Sequence, residues 1–284
     1  MHTTLVSTDL LGRNLGNRDW VVADVRASLA DADYGHRSYV EGHIPGAVHT
    51  DLNRDLSDLT RTGRGRHPLP AIEAFALKAG SWGISTGTQV VAYDDADGMY
   101  ASRLWWMLRW AGHDAVAVLD GGLGKWIAEG RPLATGEERR APRHFVMRPR
   151  EARAVTADEV ERLRSDPGHV VVDSRSPDRY RGENETIDAV AGHIPGARNY
   201  FFKNNMAADG TFRPPDELRS QLEEQLAGRA SGSSVFYCGS GVTACHNLLA
   251  MEIAGLTGAR LFPGSWSEWI SNPDRPIATG DETD

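Results

Sequence analysis

Ser234-Val235-Phe236-Tyr237-Cys238-Gly239-Ser240-Gly241-Val242-Thr243-Ala244-Cys245 is the stretch on which the reading of this chain turns. A short apolar run of strand-forming residues ends in Cys238. A loop of small residues follows. From Ala244 onward the pattern is helical, with Leu248, Leu249 and Ile253 on the apolar side. Strand, small-residue loop and helix in this order aim backbone N–H groups at one point, at the positive end of the helix dipole. Here a sulfur atom would occupy that point. Such a position favours the thiolate, the nucleophilic form of cysteine. The competing reading is a cysteine that only packs, the common fate of a free thiol. Gly239 and Gly241 favour chemistry, because they let the backbone curl close to the sulfur.

The bulk numbers narrow the class. A chain of 284 residues suggests one or two domains. Hydrophobic residues make up 40% and charged residues 25%, enough apolar material for a sizeable core. The net charge is −8 and no basic stripe stands out, so nucleic acid and anionic membrane surfaces are not expected partners. No apolar run approaches the roughly 18 residues that span a bilayer. The first nine residues, with no basic region and no long apolar core, do not read as a secretory signal. There are two cysteines, Cys238 and Cys245, without the two-residue gap of a redox pair or zinc knuckle. A reducing, cytoplasmic setting is therefore expected. Histidines, cysteines and carboxylates do not recur at metal-ligand spacing, so neither a metal nor another cofactor is expected.

The chain is an internal duplication. Val21-Val22-Ala23-Asp24-Val25-Arg26 returns as Val170-Val171-Val172-Asp173-Ser174-Arg175. Gly42-His43-Ile44-Pro45-Gly46-Ala47 returns as Gly192-His193-Ile194-Pro195-Gly196-Ala197. Val91-Ala92-Tyr93-Asp94 returns as Val235-Phe236-Tyr237-Cys238, and Pro132-Leu133-Ala134-Thr135-Gly136 as Pro276-Ile277-Ala278-Thr279-Gly280. Order is kept and the separation drifts only slightly, as loop insertions allow. The expected organisation is a domain at 1–138, a polar, proline-containing linker at 139–153, and a second domain at 154–284. In each half short apolar strands alternate with helical patterns, so the fold class is α/β, a mostly parallel sheet flanked by helices. Ligands of such folds bind beyond the carboxyl ends of strands. Asp94 and Cys238 stand at equivalent strand ends, so the first half carries an Asp where the second carries a candidate nucleophile.

Taken together, both Gly-His-Ile-Pro-Gly-Ala corners, the Cys238-Gly239-Ser240-Gly241-Val242-Thr243 loop and the Gly264-Ser265-Trp266-Ser267-Glu268-Trp269 ending resemble the tandem rhodanese sulfurtransferases over essentially the whole chain. That resemblance implies two rhodanese-like domains, an inactive first copy and a catalytic second one. It implies a Cys238 persulfide formed from a small-molecule sulfur donor and unloaded to a thiol, reduced thioredoxin or cyanide. Loop N–H groups from Gly239, Gly241, Val242 and Thr243 would stabilise the anionic sulfur without a cofactor. The neutral Gly239-Ser240 pair resembles the loop of 3-mercaptopyruvate sulfurtransferases, whereas thiosulfate enzymes of the family carry basic residues there. By the same resemblance Arg179 binds the donor carboxylate, a task for which a guanidinium suits. A second Arg found in many mercaptopyruvate enzymes before the second His-Ile-Pro-Gly is missing; Asn184-Glu185-Thr186-Ile187-Asp188 stands there instead. The family also suggests a proton relay from His43 and Ser240.

Other residues read as structural. The Asp24/Arg26 and Asp173/Arg175 pairs recur in both halves, as do His43 and His193, which fits a turn-holding role that competes with catalysis for His43. Cys245 reads as packing. The alternatives in function are a thiosulfate:cyanide sulfurtransferase and, more remotely, a cysteine phosphatase. The phosphatase loop usually ends in Arg, whereas position 244 is Ala. A non-catalytic sulfur-binding module would lack the cysteine, a description that fits only the first half.

Overall fold

A computed structural model describes residues 1–281, and within it the chain forms two compact units. One comprises Met1–Asp58, Leu69–Arg150 and Met206–Phe212; the other comprises Leu59–Pro68, Glu151–Asn205 and the described residues from Arg213 onward. The units are thus not simple halves. The segment Leu59–Pro68 belongs with the second.

The first unit is built on five strands, β1 (Leu5–Val6), β2 (Trp20–Asp24), β3 (Ala47–His49), β4 (Gln89–Tyr93) and β5 (Val116–Leu119), in the order β1-β5-β4-β2-β3. All four pairings are parallel. Its helices are α1 (Thr8–Arg13), α2 (Tyr34–Glu41), α3 (Ile72–Ser81), α4 (Met99–Trp110) and α5 (Gly122–Ala128). The second unit repeats the plan with β6 (Val170–Asp173), β7 (Arg198–Asn199), β8 (Ser234–Tyr237) and β9 (Arg260–Leu261), in the parallel order β7-β6-β8-β9. Around it lie α6 (Ala157–Leu163), α7 (Pro177–Arg181), α8 (Pro215–Leu226), α9 (Thr243–Ile253) and α10 (Ser265–Trp269). The central strands β4, β6 and β8 are buried at every position. That is why they read as unbroken apolar runs rather than as alternating ones.

The helices after the two key strands differ from the striped pattern expected for them. In α4 every residue from Tyr100 to Arg109 is buried, and in α9 every residue from Ala244 to Met251. A helix enclosed on all sides needs no polar face. Elements such as β3 and α2 leave little trace in the sequence. The latter is short of apolar residues and holds Gly35, whose missing side chain lets the helix approach β2: a β-carbon there would lie 2.0 Å from the Arg26 carbonyl oxygen. The residues read as a linker run along the first unit, where Arg143 N–H donates to Gly80 O and Arg148 N–H to Ala111 O.

The duplicated motifs do the same work in each unit. Arg26 chelates Asp24 and donates to Gly42 O at 2.7 Å; Arg175 chelates Asp173 and donates to Gly192 O at 2.7 Å. His43 stacks on Tyr39 and bonds Tyr39 O through Nδ1; His193 stacks on Tyr180 and bonds Tyr180 O. Ile44 N–H donates to Tyr93 Oη, and Ile194 N–H to Tyr237 Oη. These buried pairs tie the Gly-His-Ile-Pro-Gly corner to the strand ends. Removing one partner of such an ion pair strands a buried charge, at a cost of about 3–5 kcal/mol.

Candidate active site

Strand β8 delivers Cys238 to the mouth of the loop that opens α9. The thiol is 2% exposed, and Gly241 N–H donates to its Sγ at 3.2 Å. The curl that achieves this puts Gly241 at φ +76, a conformation glycine adopts without strain. It also brings Gly241 so close to the next turn that a β-carbon would sit 2.3 Å from Pro263 O. That turn in its turn holds the cysteine backbone. Cys238 N–H donates to Ser265 Oγ at 3.1 Å, Trp266 N–H to Cys238 O at 2.9 Å, and Ser267 N–H to Gly239 O at 3.0 Å. Ser265 itself has φ +54, unusual for a residue with a side chain. Cys245 is buried one helical turn on, its thiol donating to Gly241 O at 3.2 Å, as a packing residue does.

The first unit contains the same cradle in an occupied form. Asp94 Oδ1 accepts from the N–H groups of Ala96 and Gly98, and Oδ2 from those of Tyr100 and Ala101, all at 2.8 Å. Burial pushes this carboxyl up to about 6 against the downward pull of the four donors. Helix α4 begins as far from Asp94 as α9 does from Cys238.

Ser240 and His43 were expected to act together; the histidine that Ser240 meets is His67. Ser240 Oγ lies 2.8 Å from His67 Nδ1, both residues being buried. His43 is fully buried in the first unit's corner, stacked on Tyr39 and bonded through Nδ1 to Tyr39 O, with Nε2 unpartnered among the described residues. Its structural reading, shared with His193, is the one the geometry supports.

Arg179 lies near the loop, but it is not free. Its Nε and Nη2 grip Glu185, and Nη2 also reaches Asp188 Oδ2 at 2.9 Å. Asp188 Oδ1 in turn accepts from Arg66 Nη1 at 2.6 Å. All three meet over Gly239. A β-carbon on that glycine would stand 3.0 Å from Arg66 Nη2, 3.5 Å from Asp188 Oδ2 and 3.6 Å from Arg179 Nη2. The loop that runs from Cys238 to Thr243 thus presents Gly239 to two guanidinium groups bridged by a carboxylate. Glu185 holds its own place: burial raises its pKa, but the N–H groups of Asp188 and Ile187 and the Arg179 guanidinium outweigh that and keep it below the usual range.

Arg66, His67 and Asp188 were not singled out in the sequence. The signal for the first two was the density of Arg61, Arg64, Arg66 and His67 within an otherwise acidic chain. Among the described residues no group of three or more His, Cys, Asp or Glu side chains is arranged to hold a metal ion, and no helix is long and apolar enough to cross a membrane.

The model of the rhodanese-like domain matches residues 7–129 and again 156–272. A Pseudomonas aeruginosa protein described as a probable 3-mercaptopyruvate sulfurtransferase is 47% identical over 279 residues, covering 98% of both chains. Bovine thiosulfate sulfurtransferase is 34% identical, over 92% of this chain and 93% of its own. Among solved structures, 3-mercaptopyruvate sulfurtransferase from Leishmania major superposes with a TM-score of 0.83 at 32% identity, over 94% of this chain and 74% of that one.

Proposed function

We propose that this chain, which belongs to the rhodanese-like family, is a sulfurtransferase that takes sulfur from 3-mercaptopyruvate on Cys238 and passes it to a thiol or cyanide. The observation that carries the reading is the pair of equivalent loops, one filled by the Asp94 carboxylate and its four N–H donors, the other centred on Cys238. A cysteine persulfide ends two bonds beyond the β-carbon, as a carboxylate oxygen does. Its terminal sulfur is anionic and suits the same array of donors.

The chemistry balances without a cofactor. The Cys238 thiolate attacks the donor sulfur and a sulfur–sulfur bond forms. The carbon–sulfur bond breaks, its electron pair moves to carbon as an enolate, and protonation gives pyruvate. Ser240 and His67 form a pair able to take the donor thiol proton and return it to that carbon. An acceptor then attacks the outer sulfur and frees the thiolate, in a two-step cycle. A small thiol, reduced thioredoxin and cyanide all meet that requirement. Arg179 binds the donor carboxylate, and Gly239, Gly241, Val242 and Thr243 supply backbone around the sulfur.

Incubation with 3-mercaptopyruvate followed by mass spectrometry tests the reading. A one-sulfur gain on Cys238 is expected, together with loss of turnover in Cys238→Ser; activity retained in that variant would sink it. The likeness to bovine thiosulfate sulfurtransferase keeps a second donor in view. A kcat/KM higher for thiosulfate than for 3-mercaptopyruvate would reverse the choice.

A further inference from the structure

We propose that Asp188 is a built-in carboxylate that closes an Arg66–Arg179 clamp while the site is empty, and that the donor carboxylate replaces it, making Arg66 the second carboxylate-binding residue. The proposal rests on the sulfurtransferase reading above and names how the same site selects its donor.

An acidic segment, Glu183-Asn184-Glu185-Thr186-Ile187-Asp188, stands before the second His-Ile-Pro-Gly and supplies no guanidinium. The second guanidinium arrives from a different part of the chain. Arg66 N–H donates to Ser267 Oγ at 2.9 Å, and Arg64 pairs with Glu268 at 3.4 Å. Between them Gly65 has φ +86 and presses on the turn so closely that a β-carbon would lie 2.5 Å from Gly264 O. This pinned segment aims Arg66 across Gly239 toward Arg179. Among the described residues Arg66 Nε has no hydrogen-bond partner, so the guanidinium keeps an unused donor.

The two acidic residues at the clamp are not equivalent. Glu185 is held by Arg175, by Arg179, and by the N–H groups of Ile187 and Asp188. It is part of the frame. Among the described residues the Asp188 side chain bonds only the two guanidinium groups; it is itself 3% exposed beneath them, but it hangs on a segment whose residues Ile187, Ala189 and Val190 are exposed. Asp188 is therefore the group that can leave. Its oxygens are bound by two planar cations, the arrangement a free carboxylate seeks. Exchange of one carboxylate for another keeps the local charge unchanged. A dianion in the same place would leave one negative charge uncompensated beside the sulfur anion. The clamp thus selects small monocarboxylates bearing a thiol.

The test compares 3-mercaptopyruvate with mercaptoacetone, which keeps the thiol and the ketone and lacks the carboxylate. In Arg66→Gln the KM for 3-mercaptopyruvate should rise about tenfold or more relative to that for mercaptoacetone. In Asp188→Asn, which removes the competitor's charge, the same ratio should fall several-fold. A ratio unchanged in Arg66→Gln, or raised in Asp188→Asn, overturns the clamp. Failure of the underlying reading looks different: the wild-type protein would gain no sulfur on Cys238 from either donor.

Discussion

Replacing Gly241 with alanine probes the joint on which the sulfur cradle depends. An added β-carbon would stand 2.3 Å from Pro263 O, where ordinary contacts need more than about 3 Å. Either the Cys238 loop or the facing turn must withdraw. Holding alanine at φ +76 costs a further ~1–2 kcal/mol. The withdrawal strains bonds that cross the same joint, Trp266 N–H to Cys238 O and Ser267 N–H to Gly239 O, each contributing about 1 kcal/mol. The second unit should lose about 3–5 kcal/mol, a fall in Tm on the order of ten degrees. Displacing the nucleophile by a fraction of an ångström to one ångström should lower kcat/KM roughly a hundredfold. Gly228→Ala is the matched control: φ is +79, and nothing lies within 4 Å of the added carbon. It carries the conformational cost alone, in the turn that precedes strand β8. Calorimetry and steady-state kinetics on both variants decide the matter. Equal melting temperatures and equal kcat/KM in the two would refute the steric argument.

Two further predictions follow from particular groups. If Ser240 and His67 move one proton together, Ser240→Ala and His67→Ala should each lower kcat about a hundredfold, and the double variant should be no worse than either; fully additive losses would separate the pair. Asp94 titrates in the folded protein at about 6, above its unfolded value near 3.9. Its contribution to stability is then greatest below pH ~4 and is lost as pH rises through 6, a change of roughly 3 kcal/mol. Asp94→Asn lacks this titration, so the melting-temperature difference between it and the wild type should shift in favour of the wild type on acidification from pH 7 to 4. A difference constant over that range would show that Asp94 does not titrate there.

Much of the fold was legible because its causes are local. β4, β6 and β8 announce themselves as short apolar runs, since burial on both faces excludes polar residues from them. Ser7 and Thr156 mark helix starts and do cap α1 and α6. The duplication alone marks Asp94 as the counterpart of Cys238. α2 escaped notice because its contacts depend on a glycine packed against a distant carbonyl, which leaves no periodic trace.

For the site, the sequence by itself marked the candidate nucleophile Cys238 and its loop, because strand, small-residue loop and helix are contiguous, while Arg179 entered only through the family resemblance. Only the tertiary structure decided what faces them. His67 meets Ser240 across 173 residues of chain, and Arg66 meets Asp188 across 122. Their segment, Leu59–Pro68, has no hydrophobic rhythm and joins the second unit through glycine contacts and side-chain bonds to the Gly264–Glu268 turn. Pairings of that kind come from where the packed units bring the chain back on itself, and no local preference encodes them.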